Sequence, residues 1–499
     1  MSHPIIRNKA SKEDKIIYSL LFLFALLVCF FNTKNSPFYL FNDWCDPNIY
    51  FSIGKGVFNG KIPYKDLFDH KGPLIFLIYG IGYLISNMTL SGIFLIQVCL
   101  WTVSMIYAYK LSMLFLDRTF SFTIALLYST LLYSKSGTGG SADEFIVPAI
   151  TISFYYFITF FVSQYKEDHL RHKIMLIQGI CFGVAFFIKF SVAVFWIPLL
   201  LSIYYQSYSA KKYKEMAYDV LYFLGGFMVL CVPICLYFAV NGAFDDFIFA
   251  YFRFNSMYAN TGFDFDVLMN IVARTIKLVL GFYIAFPLVL FGLGMLLFSR
   301  KYIKEKAPRM GIFFAFVLLY LPMVNSVNHN LYAYINLYIF ALMGLIILVS
   351  ILAKYIKIKY RYTLGALAIV VVLLLNIYNQ GFLLYSPNML NADKSKVWQN
   401  QFAEIINKEP APTLLDLGLD KGVYTAANLV PAYKYFFHPL IDDRLFPEIR
   451  KSHEELIKNK EPFFVISSGF SFPYLEENYE VISEYVESEH SSIFLFKKK

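Results

Sequence analysis

Charge is scarce in this chain. Only 16% of its 499 residues are Asp, Glu, Lys or Arg, against 58% apolar and 19% aromatic residues, and the mean hydropathy is positive at +0.53. Soluble domains carry about 25% charge, so an ordinary soluble enzyme is excluded and most of the chain must sit in lipid. Cysteine is also sparse. The six cysteines, Cys29, Cys45, Cys99, Cys181, Cys231 and Cys235, include no Cys-x-x-Cys pair. All but Cys45 lie in apolar stretches, where a thiol is a small packing group. Neither a disulfide framework nor a zinc site is supported. No P-loop, Gly-x-Gly-x-x-Gly, His-Glu-x-x-His or Gly-x-Ser-x-Gly motif occurs in a suitable context. Cytosolic nucleotide chemistry is therefore unsupported, and no metal motif is present. Internal repeats, heptads and low-complexity tracts are missing too.

What the chain has is apolar runs. They occur near 16–32, 73–88, 90–109, 119–135, 145–164, 174–188, 190–205, 218–240, 271–298, 311–327, 334–353 and 363–385. Against the ~20 residues that a bilayer core requires, they predict a polytopic α-helical membrane protein of about 11–13 transmembrane helices. The first run has no small-residue cleavage site, so it reads as a spanning helix and not a removed signal. The net charge of +9 comes from basic clusters in short connections, which report topology and give no case for nucleic acid. Arg7, Lys9, Lys12 and Lys15 put the N-terminus in the cytoplasm. The clusters around Lys166–Lys173, Lys211–Lys214, Arg300–Arg309 and Lys354–Arg361 are cytoplasmic by the same rule. The 33–72 loop, Asp143/Glu144, Lys189, the 241–270 loop, His329 and everything after 386 then lie outside. Lys110 and Arg118 conflict with this if two crossings separate them from the first outer loop.

The last stretch changes character. Leu414–Gly418, Phe463–Ser467 and Ile493–Phe496 read as strands, and Glu448–Lys458 reads as an amphipathic helix. Residues 1–385 are expected to form the membrane domain, with 33–72 as its first outer loop. Residues 386–499 are expected to form a small extracytoplasmic α/β domain.

Ionisable groups where a chain meets the membrane are costly to hold and point to function. Residues 46 to 73 concentrate them in a polar, Gly- and Pro-punctuated loop. Asp43 and Asp46 are candidate general bases for an acceptor hydroxyl. The competing reading is a helix cap, since Asp46-Pro47 suits an N-cap followed by Pro. Asp69-His70-Lys71-Gly72-Pro73 opens an apolar segment. A Lys beside free helix N–H groups makes an anion site, and an interfacial Lys can instead merely snorkel. Asp143-Glu144 closes a Gly-rich loop; the pair is a candidate for sugar hydroxyls or for orienting the base, or simply favourable charge at a helix start. Lys189 is a candidate second phosphate ligand. Arg253 and His329 are weaker candidates, and His438 reads as an unpartnered surface residue.

Together these residues carry a resemblance. Asp46-x-x-x-Tyr50, Gly60-x-x-Pro63-Tyr64, Phe68-Asp-His-Lys-Gly-Pro73, Asp143-Glu-Phe-x-x-Pro148 and the Gly183-to-Lys189 step resemble bacterial GT-C glycosyltransferases. The branch is that of the protein O-mannosyltransferase-like and aminoarabinose-transferase-like enzymes, family 39/83-like. The likeness spans roughly residues 10–350 and is specific in 46–73. It implies a polyprenyl-phosphate-linked sugar donor, an extracytoplasmic site and inversion at the anomeric carbon. Asp46 matches the first-loop catalytic Asp, and Lys71 the Lys at the lipid phosphate, with His70 and Asp69 beside it. The family's first-loop Asp-Glu is here Asp46-Pro47, which leaves Asp43 as partner or rival. The expected acceptor is a hydroxyl of an envelope glycan, lipid or protein. No cofactor is expected, because a monophosphate leaving group does not demand a metal. A transporter or flippase of lipid-linked glycans is the rival reading. It would call for midplane charges and repeated halves, whereas the charges here gather at one surface.

Overall fold

The apolar runs form helices because nothing in lipid competes for their backbone groups. The computed structural model describes residues 11–132, 139–162, 168–258, 265–281, 285–326, 330–355, 393–469, 472–488 and 491–499, with isolated positions between 360 and 370. The first helices are α1 (Lys12–Asn32), α2 (Cys45–Phe58), α3 (Pro73–Ile85), α4 (Ser91–Ser112), α5 (Arg118–Leu132), α6 (Ala142–Val162), α7 (Asp168–Ile188), α8 (Trp196–Ser209) and α9 (Tyr213–Val240). Helices Phe265–Gly281, Ala285–Phe298, Lys306–Val324 and Tyr338–Leu352 follow. Among the described residues eight helices are long and apolar enough to cross a membrane, or nine if one bent pair counts as a span. The lower number than expected has identifiable sources. The 73–88 run is the thirteen-residue α3, and the 271–298 run is two helices. Most of the 363–385 run lies outside the described residues.

By contacts the chain divides into two compact units. The first is 1–33, 96–234 and 261–385; the second is 34–95, 235–260 and 386–499. The first outer loop thus groups with the C-terminal segment. In the first unit, α1 starts at a capping box in which Ser11 and Asp14 satisfy each other's backbone N–H. Helices α7 and α9 approach so closely that a Cβ on Gly179 or Gly226 would run into the other helix's backbone, the small-residue contact usual in lipid. The buried Arg171 of α7 donates through Nε to Asp219 of α9 at 2.8 Å, and through Nη2 to Ser207 at 2.7 Å.

The second unit is built on α2. Its Gly54 faces α3, and a Cβ there would meet Gly80 N at 2.5 Å. Tyr50 packs on Phe76 and Tyr79, Phe51 on Tyr83, and Phe58 on Gly80. The contacts advance from Tyr50 on Phe76 to Phe58 on Gly80 and Asn59 on the Tyr83 hydroxyl, so the two N-termini lie at the same end of the pair. The C-terminal segment adds strands β1 (Leu414–Asp416), β2 (Phe464–Ser467), β3 (Tyr479–Ser488) and β4 (Ser491–Lys498), which form a sheet in the order β1-β2-β4-β3. Strand β1 runs parallel to β2, and β2 runs antiparallel to β4. Strand β3, which the sequence reading lacked, pairs antiparallel with β4. Its core is Leu415, Ile457, Val465, Leu475, Tyr479 and Phe496. The amphipathic helix is at Glu448–Lys458 as expected, burying Ile449, His453 and Ile457 on one face.

Candidate active site

Helix α2 begins beside Asp46. Trp44 is its N-cap residue and makes no side-chain capping bond, so Asp46 stands in the first turn. This differs from the cap reading: Asp46 is one position inside the helix, half-buried, with Pro47 behind it. Asp43 is a different kind of group. Its side chain is half exposed and ion-paired with Lys34 at 3.0 Å.

Past α2 the chain turns at Gly60, whose φ of +84° needs glycine. The Pro63-Tyr64 step puts Tyr64 in the left-handed region at φ +70°, a costly conformation for a non-glycine residue. It is held there by bonds at both ends. Tyr64 N donates to Leu67 O at 2.7 Å, and its hydroxyl donates to Lys71 O at 2.6 Å. Asn255 Nδ2 fixes the next carbonyl back, donating to His70 O at 2.7 Å. Phe68 N donates to Lys434 O at 2.8 Å, and its ring packs on Phe254, Tyr435 and Phe446. The backbone of 68–71 is therefore pinned from four sides within this unit.

The pinned side chains form a line. Lys71 Nζ is 2.7 Å from His70 Nε2, and His70 Nδ1 is 3.1 Å from Asp69 Oδ1. An ammonium only donates, so Lys71 can bond to Nε2 when the ring is neutral with its proton on Nδ1, toward Asp69. The Asp69 contact is within ion-pair distance. Asp69 is buried, which alone would raise its pKa; the His70 charge and contact, then Lys71, outweigh burial and hold it below the ordinary carboxylate value. Gly72 and Pro73 follow as N-cap and first residue of α3. Lys71 thus stands at a helix N-terminus, where backbone N–H groups favour an anion. Because α2 and α3 share an end, Asp46 and Lys71 belong to the same end of one helix pair. Arg253 lies in the same unit, exposed at a π-helical turn.

The remaining candidates are in the first unit. Asp143 and Glu144 open α6, both buried. Lys189 breaks α7 from the 3-10 turn Phe190–Phe195. Its Nζ lies 2.8 and 3.0 Å from the two Asp143 oxygens, and Asn336 Nδ2 donates to Oδ1 at 2.7 Å. Glu144 accepts from Gln97 at 2.8 Å, Trp101 at 2.9 Å and Gly140 N at 3.0 Å. Both acids are thus held in buried networks. His329 lies outside the described residues. His438 is not the lone surface residue expected: its Nε2 is 3.2 Å from Asp443 Oδ1, and its ring neighbours buried His453. Among the described residues no group of three His, Cys, Asp or Glu is arranged to hold a metal ion. Sequence reading missed Tyr64 and Asn255 as loop anchors, and it missed Ser52, Lys55 and Asp420. The lysine inside a helix was the one available signal.

Residues 70–245 match the family model described as dolichyl-phosphate-mannose-protein mannosyltransferase. Comparison of the sequence with curated proteins finds no match. The fold is similar to that of ArnT from Cupriavidus metallidurans bound to undecaprenyl phosphate, with a TM-score of 0.61 at 12% identity over 97% of this chain and 98% of that one. Its apo state gives 0.59. The archaeal oligosaccharyltransferase AglB from Archaeoglobus fulgidus, in complex with an inhibitory peptide and a dolichol phosphate, gives 0.51 at 12% identity, over 92% of this chain and 69% of that one. This is the GT-C fold of membrane glycosyltransferases. The motifs of the sequence implied this fold, and the mannosyltransferase family model matches 70–245 of it.

Proposed function

We propose that the protein is an inverting membrane glycosyltransferase that moves a sugar from a polyprenyl-phosphate donor to a hydroxyl of an envelope glycan, lipid or protein, outside the cytoplasm. The observation that carries this reading is a carboxylate and a cation at one end of the α2–α3 pair in a GT-C fold. ArnT bound to undecaprenyl phosphate and AglB in complex with a dolichol phosphate support the donor class. Asp46 takes the proton of the acceptor hydroxyl. That oxygen bonds to the anomeric carbon from the face opposite the phosphate. The carbon–oxygen bond to phosphate breaks, and the electron pair leaves on polyprenyl phosphate. Lys71, oriented by His70 and Asp69, neutralises that charge. Lys189 as a second phosphate ligand would have to share its charge with Asp143. Asp143, Glu144 and Arg253 are then second candidates for sugar contacts. Mass spectrometry of cells lacking the protein tests the reading: a donor should accumulate and one envelope substituent should vanish. An unchanged glycan and lipid-sugar profile overturns it.

We propose no metal requirement, since a lysine supplies the charge that a cation would. Transfer by purified protein should persist in EDTA; loss restored by a divalent cation overturns this.

The orientation follows from the basic connections. At 1.5 Å per residue α3 is about 20 Å long, short of the ~30 Å hydrocarbon core. Counted as a helix that does not cross, it leaves α4 alone between the outer loop and Lys110, and the parity conflict disappears. On intact cells a membrane-impermeant thiol reagent should label a Lys421→Cys variant, and Cys45 more slowly because burial raises its thiol pKa. A Lys304→Cys variant should react only after the membrane is opened. The reverse pattern would put the proposed site in the cytoplasm.

A further inference from the structure

The helix that carries Asp46 is gripped along its length by residues of the C-terminal segment. Asn48, Ser52 and Lys55 stand at i, i+4 and i+7, on one face of α2. Each meets a different residue of 416–428. Thr425 Oγ1 donates to Asn48 Oδ1 at 2.9 Å, Ser52 Oγ donates to Asp420 Oδ2 at 3.0 Å, and Lys55 Nζ donates to Asn428 Oδ1 at 3.0 Å. Asn48, Ser52, Lys55, Asp420 and Thr425 are all at most 2% exposed. Gly422, at φ +104°, lets the backbone pass under the helix, and its N–H donates to Asp420 Oδ1 at 2.8 Å. A Cβ there would strike Phe41 at 2.5 Å and Asn48 Oδ1 at 2.9 Å. Asn48 carries the grip forward. Its Nδ2 donates at 2.8 Å to the carbonyls of both Asn42 and Trp44, immediately ahead of the turn that holds Asp46.

A buried lysine and a buried aspartate are an expensive way to join two surfaces, and apolar residues of like volume would do it with less desolvation. Their use here calls for a reason other than stability. We propose that this polar latch orients the first turn of α2, so that Asp420 and Lys55 are positioning residues for the transfer. The inference rests on the function proposed above.

The charges of the latch reach that turn. Burial first, then Asp46, and with them Asp420, push the Cys45 thiol up to about 12. Cys45 Sγ is 4.0 Å from Asp46 Oδ1. Burial pushes Asp420 up to about 6, against hydrogen bonds from Gly422 and Ser52 and the charge of Lys55. Burial also lowers Lys55 to about 8, partly offset by Asp420. Among the described residues, Asp416 and Tyr424 on its own segment and Cys45 on α2 also feel the Asp420 charge, and Lys421 acts on Asp416. Because the folded pKa of Asp420 exceeds its unfolded value, its contribution to stability grows as pH falls from about 6. Protonation also removes the charged acceptor that holds Ser52 and Gly422. Activity and stability should therefore part company below pH 6, which a merely structural carboxylate would not cause.

The test uses the purified full-length protein in lipid and compares wild type, Asp420→Asn, Asp420→Glu and the Lys55→Met/Asp420→Asn double variant. In Asp420→Asn, kcat should fall roughly tenfold to a hundredfold, as expected for a misplaced catalytic group, with donor KM unchanged. The acid limb near pH 6 should disappear, the melting temperature should hold or rise, and Asp420→Glu should restore part of kcat. Alkylation of Cys45 by iodoacetamide gives a readout independent of transfer, and it should quicken modestly in Asp420→Asn, since burial and Asp46 raise the thiol pKa more than Asp420 does. A lower melting temperature with unchanged kcat, pH profile and Cys45 rate overturns the latch. If the wild type transfers no sugar while the Cys45 rate still shifts, the proposed function fails and the coupling stands.

Discussion

Replacing Asp46 by Asn should lower kcat about a thousandfold while the protein still folds and inserts, since a positioned general base contributes typically 10²–10⁴. Asparagine keeps the shape and much of the hydrogen bonding of aspartate but accepts no proton. The half-buried first turn of α2 changes little, so the melting temperature in detergent should stay near the wild-type value. Asp43 is the control. It is exposed and already paired with Lys34 across 3.0 Å, where an ion pair is worth little and is screened by salt. Asp43→Asn should retain most activity. Steady-state transfer measured for both variants decides between them. A silent Asp43→Asn beside an active Asp46→Asn would show that the base is Asp43 and that Asp46 is only favourable charge at a helix start.

Much of the membrane domain was legible because spanning helices announce themselves by composition: backbone groups in lipid leave no alternative to them. The 46–73 block was legible because Gly60, Pro63 and Pro73 dictate turns and a helix start that sequence alone specifies. Helix α2 was not. Its Gly54 and Gly56 weaken local propensity, and it is fixed instead by close packing on α3 at Gly80. Strand β3 escaped because its Glu480, Glu484 and Glu487 suit a charged edge and broke the apolar run. Ser52 and Asp420 are 368 positions apart, and Lys189 and Asp143 are 46 apart, so nothing in local pattern could pair them. Lys189 read alone as a candidate phosphate ligand, whereas its charge is already engaged by Asp143. That contrast bears on which lysine meets the donor.

Lys71→Ala should lower kcat/KM for the donor roughly a hundredfold, the scale of one lost preorganised electrostatic contact, and leave acceptor KM unchanged. The loop that carries Lys71 is held by Tyr64, Asn255 and the Phe68 cluster, none of which involves the ammonium group. Losing Nζ therefore removes charge without releasing the backbone. His70 Nε2 loses its donor, 2.7 Å away, and that nitrogen is free to turn to water. Lys71→Arg should recover part of the donor response, because guanidinium keeps the charge but changes its reach. Lys189→Ala should behave in the opposite way. It leaves the buried Asp143 without its cation, beside the neutral Asn336 amide that donates to it at 2.7 Å, and an orphaned buried carboxylate is strongly destabilising. Its main effect should be a lower melting temperature, with a smaller change in donor KM. Donor and acceptor titrations on the two variants separate these roles. An unchanged donor response in Lys71→Ala with a raised acceptor requirement would move Lys71 to the acceptor side, and a large donor defect in a stable Lys189→Ala would make Lys189 the phosphate ligand instead.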